Sequence, residues 1–461
     1  MTMRRVAVID IGKSNAKLAL VDIEELAELS VRKVPNRPLR TGPYPHHDVE
    51  ALWTFILDSL AELSRQHGID AISVTAHGAT AVLLGENGSS LALPVLDYEH
   101  DGPDGLRSDY EAVRPPFAET GSPSLPLGLN LGAQLYWQSR TFPEDFAAAR
   151  AILMYPQYWA FRLTGVAASE ATSLGCHTDL WNPEAGGFSS LVERMRWQQL
   201  FPPLRAAGDV LGPILSEIAD RTGLDPATPV LCGIHDSNAS LFPHLLWRQP
   251  PFAVVSTGTW VVSMAVGGKK VALDPARDTL VNVDALGEPV PSARFMGGRE
   301  YEILMAEHST DWNEADIQAV LAEGIMLLPS VQRGCGPFPN SASRWVAPRE
   351  LSPGERTVAS AFYLALMTAT CLDLIGAAGA ILVEGPFAEN GVYIDMLEAA
   401  TARPVIAQTG QATGTSVGAA LLVKRLRPAG PSEGLRQSRA DEEWNVYAEK
   451  WRTSGSRRLG Q

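Results

Sequence analysis

Cysteine is scarce in this sequence, and the spacing of the few that occur excludes two kinds of site. The 461 residues include four cysteines, none of them in a CxxC pair: Cys176, Cys232, Cys335 and Cys371. Neither a zinc site nor a redox dithiol is therefore indicated. A chain of this length is also not a small scaffold held together by disulfides. We expect the four thiols to lie in the core or near the surface.

The chain has fewer positively charged residues than negatively charged ones. The chain has 38 Lys and Arg against 52 Asp and Glu, which gives a formal net charge of -14 at pH 7. The field of such a protein repels phosphate backbones and anionic membrane surfaces. We therefore expect no nucleic-acid partner and no membrane partner, and any phosphate that the protein binds must be held by a local site.

Long apolar runs are missing as well. No uninterrupted apolar stretch reaches the roughly 18 residues that a membrane span needs. The N-terminal segment MTMRRVAVIDIG has two arginines and then a short apolar run that ends at Asp10. This run is too short for a signal peptide, and no small-residue cleavage site follows it. The sequence predicts a cytoplasmic protein.

The composition is that of a large globular protein. Hydrophobic residues make up 45% and charged residues 20% of the chain, which separates it from disordered proteins. A prior of about 150 residues per domain predicts about three domains, or two large ones. The chain can therefore bury a large core.

One strand–turn–strand pattern occurs twice. Residues 5–22 (RVAVIDIGKSNAKLALVD) predict two strands joined by the turn at 12–15, GKSN. Residues 252–267 (FAVVSTGTWVVSMAVG) repeat the plan around the turn at 256–259, STGT. A repeat at this distance is too long for a solenoid. It favours two similar lobes, each presenting a glycine turn toward a common cleft.

Helices and strands alternate around these hairpins, which is typical of an α/β fold. In the first lobe, the apolar spacing predicts a helix over residues 49–65 and a strand over 71–76. In the second lobe, the pattern predicts helices over 355–377 and 392–401, and strands over 380–384 and 404–407. Prolines cluster near residues 243–251. We therefore expect a first lobe over residues 1–245, a second lobe over 246–430, and a polar C-terminal tail over 431–461.

The turn at Gly12 is not a P-loop, because that motif needs a glycine five positions earlier and residue 7 is Ala7. Backbone N–H groups in such a tight turn, with Lys13 and Lys17 nearby, can instead form an anion-binding nest. One hairpin of this kind alone would be interpreted as an ordinary solvated turn, but the second copy favours phosphate binding. Two such turns would clamp a nucleoside triphosphate, with Asp10 placed to hold Mg²⁺ directly or through its waters.

Asp236 is the strongest candidate for a catalytic residue. The segment CGIHDSNA at 232–239 predicts a short strand, a polar turn and then a helix, with Asp236 where the strand gives way to the helix. An aspartate there can also be a simple N-cap, which satisfies free helix N–H groups and contributes about 1 kcal/mol. On the residues alone, the catalytic and the capping interpretations both stay open.

The ordered set of motifs resembles the FGGY family of carbohydrate kinases. The resemblance spans residues 6 to about 424 and is carried by IDIGKSNAK, the His77-Gly78 turn, GIHDSNAS, STGTW, GCGPFP and the strand–glycine region before VGAALL. It implies an α/β architecture of two ribonuclease-H-like lobes, as in the actin, sugar kinase and Hsp70 ATPase superfamily, with ATP and sugar in the interlobe cleft. Within the family, His235, STGTW and the segment at 294–300 look more like kinases of rhamnulose and fuculose than like glycerol kinases.

The resemblance assigns site residues to positions of this chain. It implies that Asp236 is the catalytic base, and that Asp10 and Asp236 hold Mg²⁺. The residues implied for ATP binding are Asp10, Gly12, Lys13, Ser14, Asn15, Lys17, Thr257, Gly258, Thr259, Gly298, Gly385, Pro386 and Asn390. Sugar recognition needs directional hydrogen bonds to several hydroxyls, and the residues implied for it are His77, Gly78, Asp97, His235 and Asp236, with Glu99 and Asn238 as further polar candidates.

The chain departs from the family pattern at two places. Many members have a glycine-rich run where this chain has EGPF at 384–387. The family's Trp-x-Asp-x-Arg segment, which helps to hold the sugar, is replaced by LDYEH at 96–100. The first departure concerns the adenine side and the second the sugar side, so the sequence leaves the identity of the sugar open.

The predicted activity is ATP-dependent transfer of the γ-phosphoryl group to a hydroxyl of a ketose or deoxyketose, such as rhamnulose, fuculose or xylulose. One alternative is an ATPase of the same fold that acts on a protein partner; no extra partner-binding domain is evident. The other is a catalytically inactive sugar-sensing relative, but Asp236 and both glycine turns are present and no DNA-binding segment is evident. The expected partner is a small-molecule sugar, with a homodimer as a candidate assembly.

Overall fold

Strands and helices alternate through most of the chain. The computed structural model describes residues 3–85, 88, 90–306, 311–408, 414–424 and 438–456. The strands are β1 (Arg5–Ile11), β2 (Asn15–Asp22), β3 (Ala27–Pro35), β4 (Ala71–Ala76), β5 (Ala81–Leu84), β6 (Ala151–Met154), β7 (Trp181–Asn182), β8 (Gly187–Phe188), β9 (Val210–Pro213), β10 (Pro229–Leu231), β11 (Ile234–His235), β12 (Phe252–Thr257), β13 (Val261–Val266), β14 (Thr279–Val283), β15 (Pro289–Phe295), β16 (Met326–Leu328), β17 (Arg344–Val346), β18 (Ala380–Glu384) and β19 (Val405–Gln408).

The helices are of very different lengths. They are α1 (Val49–His67), α2 (Arg107–Glu111), α3 (Phe117–Thr120), α4 (Leu131–Thr141), α5 (Pro143–Ala147), α6 (Tyr155–Thr164), α7 (Ala171–Leu174), α8 (Ser190–Arg194), α9 (Ser216–Thr222), α10 (Asp236–Trp247), α11 (Gly297–Met305), α12 (Glu314–Glu323), α13 (Pro353–Leu374), α14 (Gly391–Thr401), α15 (Thr415–Leu421) and α16 (Glu442–Ser456). Short 3-10 helices lie at Gly102–Leu106, Gln198–Leu200, Pro275–Arg277 and Pro386–Glu389.

The chain divides into two compact units. The first contains Met1–Trp247, Val281–Pro289 and Gln411–Gly430, and the second contains Arg248–Leu280, Val290–Gly410 and Pro431–Gln461. The predicted lobe boundary after residue 245 lies close to this division. Residues 281–289 and 411–430, however, which the prediction placed in the second lobe, belong to the first unit.

The first unit is built on a mixed sheet in the order β3-β2-β1-β4-β10-β9, with β11 also paired with β4. β1, β2 and β3 form an antiparallel meander, and β4 runs parallel to β1. The residues of β1 from Val6 to Ile9 are fully buried, as expected for the centre of a sheet that is covered on both faces. The predicted hairpin over residues 5–22 is confirmed, with Asp10 opposite Lys17.

The second unit repeats this plan. Its sheet has the order β14-β15-β13-β12-β18-β19, in which β12 and β13 form an antiparallel hairpin and β18 runs parallel to β12. β12 thus occupies the place in its sheet that β1 occupies in the first unit. The internal repeat read from the two glycine turns is therefore confirmed at the level of each unit's topology.

Local sequence signals explain where the two longest helices begin. Asp48 Oδ1 accepts a hydrogen bond from the Ala51 N–H at 3.0 Å, which caps α1. α13 begins with a capping box, in which the Ser352 side chain accepts from the Glu355 N–H and the Glu355 side chain accepts from the Ser352 N–H. The predicted helices over 49–65 and 355–377 are confirmed, with ends that differ by a few residues.

α13 is the one described helix that is long and apolar enough to cross a membrane by length and composition. Its most apolar 18-residue stretch is 83% buried inside the protein. Helices that pass through the middle of a large core have this composition because apolar residues surround them on all sides. α13 is accordingly the central helix of the core of the second unit.

The expectation of a peripheral polar tail is wrong for residues 442–456. They form α16, whose side chains Trp444, Tyr447 and Trp451 are buried in the core of the second unit. Tyr447 Oη donates to the Ile325 carbonyl at 2.6 Å, and Trp451 Nε1 donates to the Leu327 carbonyl at 2.7 Å. Charged residues between these aromatics hid the apolar face of the helix. Residues 431–437 and 457–461 of the predicted tail lie outside the described residues.

Candidate functional site

The first predicted phosphate turn joins β1 and β2. The Gly12 N–H donates to the Asn15 carbonyl at 3.0 Å, which closes the turn. Asn36 holds it from the side, because its Nδ2 donates to the Gly12 carbonyl at 2.8 Å and its N–H donates to the Ser14 carbonyl at 3.0 Å. Ser14 and Asn15 are exposed at the tip. A fixed, exposed turn of this kind can present N–H groups to an anion.

Asp10 lies next to this turn and close to Asp236. Lys17 Nζ lies 3.8 Å from Asp10 Oδ2 and 3.0 Å from Glu28 Oε1. Burial raises the pKa of Asp10, Lys17 lowers it, and the charge of Asp236 raises it again, with a net value of about 6. The structure therefore brings the two carboxylates that were predicted to hold a metal within electrostatic range of each other.

Lys13 belongs with the predicted sugar residues. Its Nζ makes an ion pair with Asp97, lies 3.5 Å from Glu99 Oε2 and sits 4.6 Å above the centre of the Tyr98 ring. Asp97 is buried. From the sequence, Lys13 is predicted to bind the nucleotide and Asp97 the sugar. The structure joins the two residues across 84 positions of sequence.

His77 and Gly78 follow the end of β4. The His77 N–H donates to the Ile11 carbonyl at 3.0 Å, so this segment is tied to the end of β1. Burial lowers the pKa of His77 to about 4, against the raising effects of the Gly78 carbonyl and Asp236. The ring is therefore neutral at pH 7. A Cβ on Gly78 would lie 2.8 Å from His235 Nε2, so the His235 ring fits only because residue 78 is glycine.

Asp236 is the first residue of α10, directly after the two-residue strand β11. Its Oδ1 accepts from the Ser237 N–H at 2.6 Å and from Ser237 Oγ at 3.3 Å, and lies 3.2 Å from His235 Nε2. Within the described residues, no hydrogen bond is found at Oδ2. The side chain is 32% exposed. Asp236 thus bonds the first turn of its helix through one oxygen and leaves the other available to a ligand.

Three further residues support His235 and were not found from the sequence. The His235 N–H donates to Thr172 Oγ1 at 3.0 Å, and Thr172 Oγ1 donates to Glu170 Oε2 at 2.6 Å. Cys176 Sγ lies beside the His235 ring, since a Cβ on Gly78 would be 3.4 Å from Sγ and 2.8 Å from His235 Nε2. Burial alone lowers the pKa of His235, but Cys176 and Asp236 outweigh it and raise the pKa above its ordinary value. The sequence signal was weak: a glutamate followed by Thr-Ser at two and three positions is an ordinary capping pattern.

The other polar candidates of the first unit differ in their surroundings. Asn238 Nδ2 lies 3.3 Å from His235 Nδ1, so Asn238 belongs to the same cluster. Glu99 extends into solvent, with a side chain that is 63% exposed, beside Lys13. The first unit therefore gathers Asp10, Gly12, Lys13, Ser14, Asn15, Lys17, His77, Gly78, Asp97, His235 and Asp236 around the ends of β1, β4 and β11.

The second predicted phosphate turn, in the second unit, joins β12 and β13. The Gly258 N–H donates to the Trp260 carbonyl at 3.0 Å, and the Arg299 N–H donates to the Thr259 carbonyl at 3.3 Å. A Cβ on Gly298 would overlap the Gly258 carbonyl oxygen. The N-terminus of α11 is therefore packed directly against the turn, and only glycine at position 298 permits this approach.

The segment after β18 meets the same turn. Thr257 Oγ1 donates to the Glu384 carbonyl and accepts from the Phe387 N–H at 3.1 Å. Gly385 and Pro386 lie between these two contacts. Asn390 caps α14, because its Oδ1 accepts from the N–H groups of residues 392 and 393, both at 3.1 Å. The second unit therefore gathers Thr257, Gly258, Thr259, Gly298, Gly385 and Pro386, with Asn390 at the start of the next helix.

Two protein-family models together match most of the chain. A model of the FGGY family of carbohydrate kinases, N-terminal domain, matches residues 6–243, and a model of the carbohydrate kinase FGGY, C-terminal domain, matches residues 249–431. Among solved structures, a carbohydrate kinase from Novosphingobium aromaticivorans is 38% identical with a TM-score of 0.91, and each chain is covered completely. A ligand-bound xylulose kinase from Lactobacillus acidophilus is 16% identical with a TM-score of 0.79, covering 99% of this chain and 98% of that one, and shows the fold alone.

Curated relatives match over a shorter span. An L-fuculokinase from Haemophilus influenzae is 23% identical over 278 residues, which is 56% of this chain and 57% of the relative. A rhamnulokinase from Halalkalibacterium halodurans is 25% identical over 270 residues, 55% of this chain and 54% of the relative. The chain thus spans about half the length of the curated relatives that it matches.

The two-domain α/β fold predicted from the sequence is confirmed by the two mixed sheets and by the solved structures. The resemblance read from the ordered motifs is confirmed by family models that cover residues 6–243 and 249–431. On these findings, this chain belongs to the FGGY family of carbohydrate kinases.

Proposed function

We propose that this protein is a carbohydrate kinase that transfers the γ-phosphoryl group of ATP to a hydroxyl of a ketose or deoxyketose. Membership of the family supports the reaction type. The names of the relatives, L-fuculokinase, rhamnulokinase and xylulose kinase, support the substrate class. The arrangement of Asp236 is the observation that carries the proposal, because its carboxylate is held through Oδ1 while no hydrogen bond occupies Oδ2 among the described residues.

The sugar residues of this proposal are those of the first unit. His77, Asp97 and His235 would hold the sugar hydroxyls, with Lys13 fixing the Asp97 carboxylate through its ion pair. Buried polar groups of this kind give specificity because a mismatched ligand leaves them without a hydrogen bond. Gly78, which has no Cβ, would leave room for the His235 ring beside these residues.

The nucleotide residues of the proposal lie in both units. In the second unit, the turn at Gly258 and the N-terminus of α11 would bind phosphate, since helix N-termini and tight turns present N–H groups and positive partial charge. Gly385, Pro386 and Asn390 would lie on the adenosine side. In the first unit, the turn at Gly12 would hold a phosphate group through its backbone.

Asp236 is proposed as the general base. Its Oδ2 would accept the proton of the acceptor hydroxyl as that oxygen forms a bond to the γ-phosphorus. The bond from the γ-phosphorus to the β,γ-bridging oxygen breaks, and ADP leaves with the electron pair. General-base catalysis of this kind is typically worth about 10²- to 10⁴-fold in rate, and positioning supplies most of the remainder.

Magnesium is the metal that this proposal requires, and the donor set fits it. Mg²⁺ takes oxygen ligands and usually keeps several waters beside one or two carboxylates. Asp10 would hold it, with Asp236 reaching it through the metal's waters so that Oδ2 stays free for the acceptor hydroxyl, and when bound it would neutralise charge on the phosphates. Among the residues that the structure describes, no group of three or more His, Cys, Asp or Glu is arranged to hold a metal ion. The protein part of such a site is therefore limited to a few carboxylates.

A coupled assay of ADP release tests the proposal. Ketoses, deoxyketoses, polyols and aldoses are screened at a fixed concentration of Mg-ATP, and we expect turnover that depends on a ketose or deoxyketose. Asp236→Asn should reduce that turnover by at least about 100-fold with nucleotide affinity nearly unchanged. Asp220→Asn, an exposed aspartate on α9, is the control and should keep full activity.

Other outcomes distinguish the alternatives. ADP release that needs no sugar would favour an ATPase that acts on a protein partner. Sugar binding without turnover would favour a sugar sensor. Full activity of Asp236→Asn would leave Asp236 as a helix cap only. A cytoplasmic location and a homodimer also remain predictions, and light scattering of the purified protein tests the second.

A further inference from the structure

Glu170 is a buried carboxylate that accepts all of its hydrogen bonds from two residues of α7, Thr172 and Ser173. It precedes α7 and is 2% exposed. Its Oε1 accepts from the Thr172 N–H at 2.9 Å, and its Oε2 accepts from the Ser173 N–H at 3.1 Å and from Thr172 Oγ1 at 2.6 Å. Burying a carboxylate is costly unless such bonds compensate. Capping a helix of only four residues does not by itself account for so deeply buried a carboxylate.

Thr172 connects Glu170 to the backbone of His235 through two hydrogen bonds. A hydroxyl has one hydrogen, and Thr172 gives it to Glu170, which when ionised can only accept. The Thr172 oxygen therefore has its lone pairs free for the His235 N–H, 3.0 Å away. β11 contains only Ile234 and His235, which pair with Thr75 and Ala76 of β4. The bond to Thr172 adds a side-chain contact that helps to fix the backbone just before Asp236.

The ring of His235 is held as firmly as its backbone. Its Nδ1 lies 3.3 Å from Asn238 Nδ2, and its Nε2 lies 3.2 Å from Asp236 Oδ1. Gly78 packs against one side of the ring, with Cys176 Sγ beside it. The ring cannot turn away without breaking these contacts, and it keeps Asp236 Oδ1 engaged.

We propose that Glu170 and Thr172 are positioning residues, which act through His235 to hold Asp236 with Oδ1 occupied and Oδ2 turned to the acceptor hydroxyl. The inference rests on the proposed kinase function. Glu170 is 2% exposed and Thr172 is fully buried, so neither is placed to contact a substrate. Loss of the constraint would let the carboxylate rotate or share its second oxygen with the first turn of α10, which lowers the fraction of enzyme in the productive geometry.

Thr172→Val tests the inference, because valine keeps the shape and removes the hydroxyl. We expect kcat to fall by about 10- to 100-fold while the KM values for sugar and ATP stay within about twofold, since the binding groups are untouched. Thr172→Ser keeps the hydroxyl and should restore kcat to within about threefold of wild type by the same reasoning. The split between kcat and KM separates positioning from a general loss of structure.

Ser173→Ala is the matched control. Ser173 Oγ also bonds Glu170, at 3.3 Å, but its side chain makes no bond to His235 among the described residues. This variant should keep the kcat of wild type. Unchanged kcat in Thr172→Val would overturn the inference, and so would an equal loss of kcat in Thr172→Val and Ser173→Ala.

Glu170→Met decides the matter if Thr172→Val does not fold. Methionine has a similar length but no oxygen to accept the Thr172 hydroxyl, so we expect a severalfold lower kcat at unchanged KM; an unchanged kcat would overturn the inference. If the wild-type protein shows no sugar-dependent ADP release, the proposed function is wrong, and the inference that rests on it is wrong as well. Wild-type activity that is lost in Asp236→Asn but kept in Thr172→Val overturns the inference alone.

Discussion

At the scale of single residues, the number of hydrogen bonds distinguishes a cap from a candidate base. Glu170 and Asp236 are both carboxylates at the start of a helix. Both oxygens of Glu170 accept hydrogen bonds and the group is buried, so it is not placed to take a proton from a substrate. Asp236 is a third exposed and bonded through Oδ1. Asp236 is itself the first residue of α10, and its Oδ1 accepts from the N–H of the next residue, Ser237, which is not the usual N-cap bond to the second or third helical N–H. The catalytic interpretation stays a prediction.

Burial sets the charge of another residue, Glu300 in α11. Its Oε1 accepts from the Gln332 N–H at 2.8 Å and its Oε2 accepts from Tyr363 Oη at 2.9 Å. Burial raises the pKa of Glu300 to about 7, although these hydrogen bonds lower it. The folded protein therefore favours the protonated form more than the unfolded chain does.

This shift predicts a pH dependence of stability. A carboxyl whose pKa is raised by folding contributes its stability at pH values below the unfolded pKa, and that contribution is lost as pH rises toward 7. Between pH 5 and pH 8, wild type should lose about 2 to 3 kcal/mol relative to Glu300→Gln, which does not ionise. Urea unfolding of both proteins at the two pH values measures the difference. A constant difference would contradict the assigned pKa.

At the scale of elements, a short helix from late in the chain supports the helix that carries Asp236. α15 lies against α10 in the first unit, and a Cβ on Gly418 would overlap the Ala239 carbonyl oxygen. Ser73 in β4 donates to the Ala419 carbonyl at 2.7 Å, which ties α15 to the sheet as well. The position of α10 therefore depends on a close backbone contact that only glycine allows.

Gly418→Ala should disturb that contact. The added methyl group must push α15 from α10, and we expect a loss of about 1 to 3 kcal/mol of stability, as for other overpacked sites. If the displacement reaches Asp236, kcat falls more than either KM. Gly187→Ala is the control, because a Cβ there meets nothing within 4 Å. Thermal unfolding and ADP release report the two effects, and wild-type stability of Gly418→Ala would show that α10 is not held this way.

At the scale of the whole molecule, the chain crosses between its two units several times. Residues 411–430 return to the first unit, and the last helix, α16, lies in the second. Trp444 of α16 packs against Phe362 of α13, with ring centres 4.7 Å apart. The C-terminal segment is therefore part of the core of the second unit.

Trp451→Ala measures how much this last helix contributes. Trp451 is 1% exposed and donates to the Leu327 carbonyl at 2.7 Å. Its loss should cost about 3 to 5 kcal/mol in the free energy of unfolding, the range for large buried aromatics. Val446→Ala on the exposed face of the same helix, with Val446 46% exposed, should change stability by less than about 0.5 kcal/mol. Equal effects of the two variants would contradict the placement of α16.

The local sequence pattern was enough to predict most of the helices and strands and the positions of the two glycine turns. The hairpins around Gly12 and Gly258, the helix after Asp48 and the junction at Asp236 follow from alternation of apolar residues, capping residues and glycine, all of which act within a few positions. α16 was missed because its buried aromatics are separated by charged residues. Gly298 and Gly385 were found through the family resemblance, and the structure gives a steric reason for the first.

The amino-acid sequence by itself determined the α/β class, the repeated hairpin plan and the family, because these depend on local periodicity and on the order of motifs. Only the tertiary structure decided that Lys13 pairs with Asp97, that Thr172 bonds His235, and that α15 and α16 return to different units. These contacts join residues tens to hundreds of positions apart, and strand order and helix packing bring them together. The local sequence does not specify which distant side chain will be the partner in a buried hydrogen bond.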